Sequence, residues 1–335
     1  MSDSGVPAIA LSIGDPNGIG PEIAVKAAAV LGREGRLHPV LVGDPAVIRA
    51  CARRFASGYR LREAGWPDAP AAHTLDVVPV HALPEADYRP GEVSAAAGAA
   101  TVEYLAAAVA LTRAHPVHGI VACPHSETAV NAAGIAFSGY PGLLARLTGT
   151  AEEGVFLMLV GGGLRIVHAT LHLALREALA RLTPDRVEAA GVAAAGALQA
   201  MGLDSPRLAV LGINPHAGEN GLFGSEDAEI TSPAVARLRQ RGITAEGPFG
   251  ADTALAAAEF DAYIAMYHDQ GHVPVKLLAG RTASALAVGA GVLFASVGHG
   301  TGFDIAGRGV ADPAAVLRAA RLLASGTAPA GRPGA

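Results

Sequence analysis

The chain has 335 residues, of which 51% are hydrophobic and only 16% charged, with a formal net charge of -5. This length favours about two domains, the low charge content excludes a disordered chain, and the absence of excess positive charge argues against nucleic-acid binding. Two cysteines, Cys51 and Cys123, exclude a disulfide framework and favour a cytoplasmic protein.

Short apolar runs alternate with alanine-rich segments along the chain. The apolar runs predict strands at residues 8–14, 38–44, 119–124, 207–215 and 262–269. The alanine-rich segments predict helices at residues 20–32, 94–114, 184–202, 232–242 and 312–326. This alternation is typical of an α/β fold with a largely parallel sheet. The first run indicates a strand and not a signal peptide, because it lacks a basic flank and a cleavage site.

The apolar stretch at residues 155–175 has the length of a membrane helix. It contains three consecutive glycines, Gly161, Gly162 and Gly163, together with an arginine and two histidines. Short β-rich runs lie on both sides of these glycines. The stretch therefore predicts a hairpin.

Polar clusters follow five of the apolar runs. They are GDPNG (14–18), PHSET (124–128), NPHAGE (214–219), YHDQGH (267–272) and GHGTGFD (298–304). In open α/β sheets, ligands bind outside the carboxyl ends of the strands. Any single cluster is equally well explained as an ordinary polar loop, but five together predict one shared active site.

Three of the 12 histidines, His172, His216 and His268, lie at or just after strand-like runs. Neutral imidazole nitrogens bind divalent cations, and a catalytic metal commonly has three protein ligands. These histidines are far apart in sequence, so no spacing motif supports them, and His168 competes with His172 for the role. The pattern alone leaves the choice of ligands open.

Several charged residues near these histidines have both a functional and a structural interpretation. Asp269 and Asp252 are candidates to take a proton from an alcohol or to orient a liganding imidazole. Asp252 has a structural alternative that the pattern favours, that of a helix N-cap or turn residue. Lys276 is suited to pair with a substrate carboxylate. The alternative interpretation is that it is an ordinary surface lysine. His272 receives no role.

The first glycine-rich loop, GDPNGIGPE, contains G-x-x-G-x-G and not the dinucleotide fingerprint G-x-G-x-x-G. A nicotinamide cofactor would therefore not be held in the Rossmann manner. Asp15 and Asn17 in this loop are candidates to line the active site. A carboxylate that caps the helix beginning near Pro21 is an equal alternative.

Four motifs together resemble the 4-hydroxythreonine-4-phosphate dehydrogenase family, over residues 8 to about 323. They are GDPNGIGPEI, GINPHAGE, MYHDQGHVPVK and GHGTGFDIAGRG. The last motif is also similar to the cofactor loop of isocitrate and isopropylmalate dehydrogenases. The resemblance implies two α/β/α domains with a cleft between them and not a standard Rossmann fold.

We expect the first domain, with the cofactor loop, at residues 1–130 and 276–325. The second domain, with the dimer and metal contacts, is expected at 131–275, and a disordered tail at 326–335.

The resemblance also implies a reaction: NAD, or alternatively NADP, oxidises a secondary alcohol, and a neighbouring carboxylate leaves as CO2. One divalent ion (Zn, Mg, Mn, Co or Fe) is implied, bound by His172, His216 and His268 at a homodimer interface. Such an ion lowers the pKa of the hydroxyl and stabilises the enolate left by CO2. Lys276 matches the family's substrate-binding lysine. The residues implied to bind the cofactor are His299, Gly300, Thr301, Asp304 and Gly307.

The chain departs from the family pattern where the family contacts its substrate. Residues 139–142 read Gly-Tyr-Pro-Gly where the family has Gly-His-Thr-Glu, and Glu127 replaces a lysine. Ala285 and Phe294 replace an asparagine and an arginine. Because a phosphate requires cationic or backbone donors, these losses argue against a phosphorylated substrate.

One branch of the family, the terephthalate dihydrodiol dehydrogenases, matches these departures better. Tyr140, Pro141 and Phe294 suit a flat six-membered ring. The residues expected to bind substrate are Tyr140, Pro141, Lys276, Ala285 and Phe294. The predicted reaction converts terephthalate dihydrodiol to protocatechuate, CO2 and NADH. The alternatives are a 4-hydroxythreonine-4-phosphate dehydrogenase of pyridoxal phosphate biosynthesis, a related hydroxy-acid phosphate dehydrogenase, and a non-catalytic protein that binds metal or a small acid.

Overall fold

The computed structural model describes residues 5–137 and 139–325 and has a mixed α/β fold that divides into two compact units. Unit 1 comprises the chain up to Leu143 together with Val292–Ser325, and unit 2 comprises Leu144–Gly291. The tail predicted at 326–335 lies outside the described residues. The predicted cleft between two domains stays a prediction.

Unit 1 is built on a parallel sheet. Its strands are β1 (Ala8–Ser12), β2 (His38–Gly43), β3 (Arg60–Glu63), β4 (Thr74–Pro79), β5 (Val117–Ala122) and β12 (Phe294–Ser296). Its helices are α1 (Gly20–Glu34), α2 (Pro45–Phe55), α3 (Ala95–Ala114), α4 (Glu127–Ala132) and α11 (Ala314–Ser325), and α5 (Tyr140–Thr148) contains the boundary between the units. The strand order is β3-β4-β2-β1-β5-β12, and every neighbouring pair is parallel.

The central strands of unit 1 are buried on both faces. Ile9 and Leu11 of β1, Leu41 of β2, and Ile120 and Val121 of β5 have no exposed surface. Strands covered on both faces have continuous apolar sequences, which is why the apolar runs predicted them correctly. Both cysteines are buried and unpaired, which confirms that they form no disulfide.

Helix α3 is long and apolar enough to cross a membrane by length and composition alone. Half of its most apolar window is nevertheless buried inside the protein, and the core helix of a soluble protein passes the same test. Its N-terminus is capped by Ser94, whose side chain accepts a hydrogen bond from the N–H of Ala97.

Unit 2 contains a mixed sheet. Its strands are β6 (Phe156–Gly161), β7 (Leu164–His168), β8 (Arg207–Leu211), β9 (Thr244–Phe249), β10 (Ala262–Ala265) and β11 (Ser284–Val288). Its helices are α6 (Leu175–Ala180), α7 (Pro184–Ala200), α8 (Ser232–Gln240), α9 (Ala251–Ala257) and α10 (His268–Ala279). The strand order is β11-β6-β7-β10-β8-β9. The strands from β7 to β9 in this order are parallel, whereas β6 is antiparallel to both of its neighbours.

The hairpin predicted for residues 155–175 is confirmed. Strands β6 and β7 pair antiparallel, and Gly161 lies opposite Leu164 at the turn. The two turn residues, Gly162 and Gly163, have φ values of 58° and 88°, a conformation in which glycine costs least. The turn is also crowded, because a Cβ on Gly162 would lie 2.3 Å from the Cβ of Leu278.

Both domain boundaries lie further along the chain than predicted. Helix α4 packs on α3, which keeps the residues after 130 in unit 1. Helix α10 packs on β6 and β7, and β11 pairs with β6, so residues 276–291 belong to unit 2. Tertiary packing of these short elements, which the sequence pattern does not reveal, sets the boundaries.

The segment after β10 corrects another prediction. The strand was expected to continue to Asp269 and a loop to follow, but β10 ends at Ala265 and α10 begins at His268. Pro274 lies inside this helix and removes one backbone donor, which is why the sequence favoured a loop. As a consequence, His268, His272 and Lys276 are spaced four residues apart along one helix and share a face.

Candidate active site

Four neighbouring parallel strands of unit 2 end at one edge of its sheet. His172 follows β7, His268 follows β10, His216 follows β8 and Asp252 follows β9. Because the carboxyl ends of parallel strands meet at the same edge, the fold places all four side chains there. This edge is the region in which α/β proteins bind ligands.

Two of the three predicted ligands, His172 and His268, lie beside each other. Their ring centroids are 5.6 Å apart, and both line a cavity of about 420 Å³ together with Leu171, Tyr267 and Asp269. Nδ1 of His268 lies 2.7 Å from a carboxylate oxygen of Asp269. The carboxylate only accepts, so Nδ1 carries the proton and Nε2 of His268 is left with a lone pair.

The loop that carries His216 has an unusual backbone. From His216 to Asn220 every residue has a positive φ, between 42° and 85°. Such a left-handed turn is unfavourable for non-glycine residues and requires support from its surroundings. The support comes from the buried carboxylate of Asp227, which accepts hydrogen bonds from the backbone N–H groups of Ile213 (2.8 Å) and Asn214 (2.9 Å).

Asp227 opens a π-helical turn, Asp227–Thr231, a rare element that is frequent at functional sites. The hydroxyl of Thr231 donates to the same carboxylate at 2.8 Å. Asp227 is not recognisable from the sequence, because its partners are backbone groups in a separate loop. The only sequence signal is an acidic residue shortly after a glycine-rich loop.

Asp252 lies near His216. A Cβ on Gly250 would lie 3.1 Å from Oδ1 of Asp252 and 3.8 Å from Cα of His216, so both residues flank this glycine. Asp252 is exposed in the first turn of α9, and the N-cap of that helix is Gly250. The alternative interpretation of Asp252 as an N-cap is therefore wrong.

The geometry of these residues agrees in part with that of a divalent-cation site. Two imidazoles that bind one cation, each with a nitrogen about 2.1 Å from it, hold their ring centres roughly 5 Å apart. The spacing of His172 and His268 agrees with that geometry. Among residues 5–137 and 139–325, however, no group of three or more His, Cys, Asp or Glu side chains is placed to hold a metal ion.

His168 and His272 belong to the same cluster of imidazoles. His168 is 1% exposed, and its two nitrogens lie 3.2 Å from the carbonyl oxygen of Leu157 and 3.0 Å from Nδ1 of His272. Both nitrogens are thus occupied, which removes His168 as a competitor for His172. Burial lowers the pKa of His168 to about 3 and that of His272 to about 4.

The two other predicted residues of unit 2 have different surroundings. Lys276 is exposed in the last turn of α10. Ala285 lies on β11 opposite Leu159 and packs against the apolar core of the unit. Lys276 is therefore accessible to a solute, whereas Ala285 is half-buried.

In unit 1, the carboxyl ends of β1, β5 and β12 lie side by side. Asp15, after β1, has no exposed surface, and its Oδ1 accepts a hydrogen bond from the N–H of Asn17 at 2.9 Å. Burial raises the pKa of Asp15 to about 6. The N-cap of α1 is Ile19, so the alternative in which Asp15 caps this helix is wrong.

An aromatic cluster surrounds the end of β5. The ring of Tyr140 lies 4.5 Å from that of His125 and 4.8 Å from that of Phe294. Phe294 is 1% exposed, so in this arrangement it supports the Tyr140 ring, while Tyr140 and Pro141 are half-buried. Nε2 of His125 is buried and has no hydrogen-bond partner among the residues that the structure describes, and burial lowers the pKa of this residue to about 4.

The predicted cofactor loop follows β12. His299, Gly300 and Asp304 are exposed, and a Cβ on Gly300 would meet no atom within 4 Å. Thr301 is buried, and its carbonyl oxygen accepts a hydrogen bond from the N–H of Ile19 at 2.8 Å. Gly307 has a φ of 70°. The exposed backbone at Gly300, which carries no side chain, suits the close approach of a dinucleotide.

The C-terminal end of this loop is held by an ion pair that the sequence does not reveal. Glu22, which is 1% exposed, accepts hydrogen bonds from the N–H groups of Gly309 (3.1 Å) and Ala311 (3.0 Å). Lys26 lies 2.7 Å from the same carboxylate and donates to the carbonyl oxygens of both loop residues. The i, i+4 spacing of Glu22 and Lys26 was the available signal.

The family of the chain follows from comparison with known proteins. The model of the family described as pyridoxal phosphate biosynthetic protein PdxA matches residues 36–323. The chain belongs to the PdxA family. The resemblance drawn from its four motifs is thereby confirmed.

Relatives in the PdxA family are similar over their full length. The chain is 47% identical over 320 residues to a 1,2-dihydroxy-3,5-cyclohexadiene-1,4-dicarboxylate dehydrogenase of a Comamonas species, covering 94% of this chain and 96% of the relative. It is 41% identical to a D-threonate 4-phosphate dehydrogenase of Cupriavidus necator, covering 96% and 97%. A crystal structure of a terephthalate 1,2-cis-dihydrodioldehydrogenase from Burkholderia xenovorans LB400 has a TM-score of 0.80 and 53% identity, covering 96% and 98%. Because these PdxA-family relatives are dehydrogenases, the chain is a dehydrogenase acting on a CH–OH group.

Proposed function

We propose that this PdxA-family dehydrogenase is metal-dependent and NAD-linked, with NADP as the alternative cofactor, and that it oxidises terephthalate dihydrodiol to protocatechuate, CO2 and NADH. The observation that carries the proposal is the set of imidazoles at one sheet edge of unit 2, with the Asp269 carboxylate on Nδ1 of His268. The 47% identity to the Comamonas dicarboxylate dehydrogenase supports this substrate class.

The proposed ligands of the cation are His172, His216 and His268. A divalent cation here, one of Zn, Mg, Mn, Co or Fe, would lower the pKa of the substrate hydroxyl and polarise its oxygen. The Asp269 carboxylate accepts a hydrogen bond from Nδ1–H of His268, which leaves Nε2 available, an arrangement common among metal-binding histidines. The exposure of His172 and His216 also supports this role.

Two other side chains of unit 2 are proposed to act on the substrate. Asp252, exposed beside His216, is proposed to accept the hydroxyl proton. Lys276, exposed on α10, is proposed to pair with a substrate carboxylate. Transfer of a hydride to NAD turns the secondary alcohol into a ketone. The carboxylate on the adjacent ring carbon is then β to the new carbonyl, so it leaves as CO2, and the resulting enol is a phenol. Formation of the aromatic ring makes this step favourable.

Binding of the substrate ring is assigned to Tyr140 and Pro141, with Phe294 behind the Tyr140 ring. Ala285, on β11 of unit 2, remains a further candidate for substrate binding. The tilted contact between the rings of Tyr140 and Phe294, with centroids 4.8 Å apart, supports an aromatic-lined surface for a flat ring. For NAD, we propose that the exposed backbone of residues 299–307 receives the adenosine end and that Asp304 accepts a hydrogen bond from it. The absence of a Cβ at Gly300 supports this close approach.

We further propose a homodimer in which a second copy completes the metal site. Large apolar side chains are exposed close in sequence to the three histidines: Leu175 three residues after His172, Leu222 and Phe223 after His216, and Val273, Leu277 and Leu278 on the helix that His268 opens. Leu277 is 81% exposed and Leu222 is 72% exposed. Apolar surface of this kind marks a protein interface, and it supports an interface beside the imidazoles.

A second candidate substrate is a phosphorylated hydroxy acid, such as D-threonate 4-phosphate or 4-phosphohydroxy-L-threonine. The 41% identity to the Cupriavidus D-threonate 4-phosphate dehydrogenase favours it. Glu127 opposes it, because an acidic residue stands where the motif of the family has a lysine that would favour a phosphate. We therefore rank the dihydrodiol dicarboxylate first.

The decisive experiment measures NADH formation and CO2 release by protein stripped with a chelator and reloaded with one cation at a time. We expect both products in equal amounts from terephthalate dihydrodiol and NAD, and neither without a cation. NADH from a phosphorylated hydroxy acid, with none from the dihydrodiol, would contradict the proposed substrate. Activity that survives complete removal of metal would contradict the proposed mechanism.

A further inference from the structure

Two histidines outside the proposed ligand set form a chain of contacts that ends on His268. His168, at the end of β7, is 1% exposed and is bonded through Nδ1 to the carbonyl oxygen of Leu157 and through Nε2 to Nδ1 of His272. The ring of His272 stacks on that of His268, with centroids 3.8 Å apart and planes 12° apart. These contacts join the core of unit 2 to a proposed metal ligand.

The carbonyl oxygen of Leu157 determines where the protons of this chain lie. A carbonyl oxygen only accepts, so Nδ1 of His168 carries a proton and donates it. A ring so deeply buried, with no carboxylate on either nitrogen, is neutral, and its Nε2 therefore accepts. His272 must then donate from Nδ1. Its ring orientation is fixed, and its own Nε2 is left unprotonated.

The imidazole of His268 is consequently held in two directions. His272 covers one face of the ring, and Asp269 holds its edge through Nδ1. Space for this arrangement depends on Gly271, since a Cβ there would lie 2.4 Å from Nε2 of His168. A ligand whose orientation is set before the cation arrives loses less conformational freedom on binding.

We propose that His168 is a positioning residue that acts through His272 and holds His268 in the orientation in which it binds the cation. This inference rests on the proposed function, in which His268 is a metal ligand. The support resembles the outer partners of metal-binding histidines, whose loss weakens metal affinity by about 10- to 100-fold. Neither His168 nor His272 needs to touch the cation or the substrate.

Calorimetric titration of the metal-free full chain with Zn²⁺ tests the proposal. His168→Leu removes both hydrogen bonds but still fills the buried position with a side chain. We expect it to bind Zn²⁺ about 10-fold more weakly. His168→Gln carries an amide oxygen that can accept from His272, and we expect it to restore most of the affinity. His118→Leu is the matched control, because it removes a histidine–carbonyl hydrogen bond, to Leu323 in unit 1, and should leave Zn²⁺ binding unchanged.

Nitrogen-15 NMR of the metal-free protein reports the tautomer of His272. A merely structural role of His168 would leave this tautomer unchanged. In the wild type, His272 should be protonated at Nδ1 and unprotonated at Nε2, and in His168→Leu it should show a mixture of tautomers. A wild-type His272 protonated at Nε2 would overturn the proposal. So would wild-type affinity in a folded His168→Leu variant.

His268→Ala separates this inference from the proposed function on which it rests. If His268→Ala abolishes Zn²⁺ binding while His168→Leu does not weaken it, only the positioning role is wrong. If His268→Ala binds Zn²⁺ as tightly as the wild type, the proposed metal site fails and the positioning role fails with it.

Discussion

The imidazole rings of His172 and His268 lie 5.6 Å apart, although one follows β7 and the other opens α10. The parallel pairing of β7 with β10 brings them together, since both strands deliver the chain to the same edge of the sheet. Strand β8, on the other side of β10, brings the loop of His216 to that edge. The proposed metal site depends on this strand order.

Substitution of His216 should abolish turnover without unfolding the protein. His216→Asn removes the imidazole but keeps a residue that tolerates the φ of 52° at this position. We expect the rate of NADH formation to fall at least about 100-fold, because a lost ligand costs more than a lost outer partner. Circular dichroism should remain that of the wild type, and His81→Ala, an exposed histidine in unit 1, should retain full activity. Survival of the rate would remove His216 from the ligand set.

Asp227→Ala should destabilise unit 2 and weaken metal binding together. The carboxylate bonds two backbone N–H groups and the Thr231 hydroxyl, and hydrogen bonds to a charged group contribute about 1.5–3 kcal/mol each. We expect the free energy of unfolding, measured in urea, to fall by roughly 5 kcal/mol, about three times the lower value for one such bond. Thr231→Val removes one donor and should cost only about 1.5 kcal/mol. Equal losses in the two variants would contradict the role of Asp227 as the anchor of the His216 loop.

Asp15 should make the protein less stable as the pH rises. Its pKa is raised by burial from 3.8 to about 6, so the folded state holds a proton that the unfolded state has already released. This contribution to stability is complete below pH 3.8 and is lost as the pH rises through about 6, a change of about 3 kcal/mol. Asp15→Asn lacks this dependence, so its stability relative to the wild type should increase between pH 4 and pH 6.5 and then level off. Urea unfolding across this range measures the difference, and a constant difference would show that Asp15 is not buried as a neutral acid.

A charge on the exposed face of α10 should separate the proposed dimer. Leu277 is 81% exposed, and Leu277→Lys places an ammonium group on the proposed interface. We expect a monomer by light scattering and a large loss of NADH formation, because the metal site would lack the partner. Val93→Lys, at a site 51% exposed in unit 1, should leave both properties unchanged. A Leu277→Lys protein that is an active dimer would exclude this face as the interface.

The fold was largely predictable because buried strands have continuous apolar sequences. Ile9, Leu11 and Ile120 mark central strands, and Gly162 and Gly163 mark the hairpin turn, so these elements were found from local pattern alone. Helix α10 was missed because Gly271 and Pro274 are typical helix breakers. Here the glycine is required by contact with His168, and packing on β6 and β7 compensates for the proline.

The candidate site was predictable only in its outline. The positions of His172, His216 and His268 after strands were visible in the sequence, and their placement at one edge follows from the strand order. The anchors Asp227 and Glu22 bond mainly to backbone groups distant in sequence, and such contacts leave no pattern. The hydrogen bond between His168 and His272 likewise became visible only once α10 was known to be a helix.

The central claim is that His172, His216 and His268 bind one divalent cation. A crystal structure of the Zn²⁺-loaded protein, with the metal located by anomalous diffraction, tests it most directly. We predict one strong peak per chain, bonded to all three imidazoles, with at least one contributed by a second copy of the chain. A peak bonded to other residues, or three imidazoles that remain apart even when neighbouring copies are included, would contradict the account.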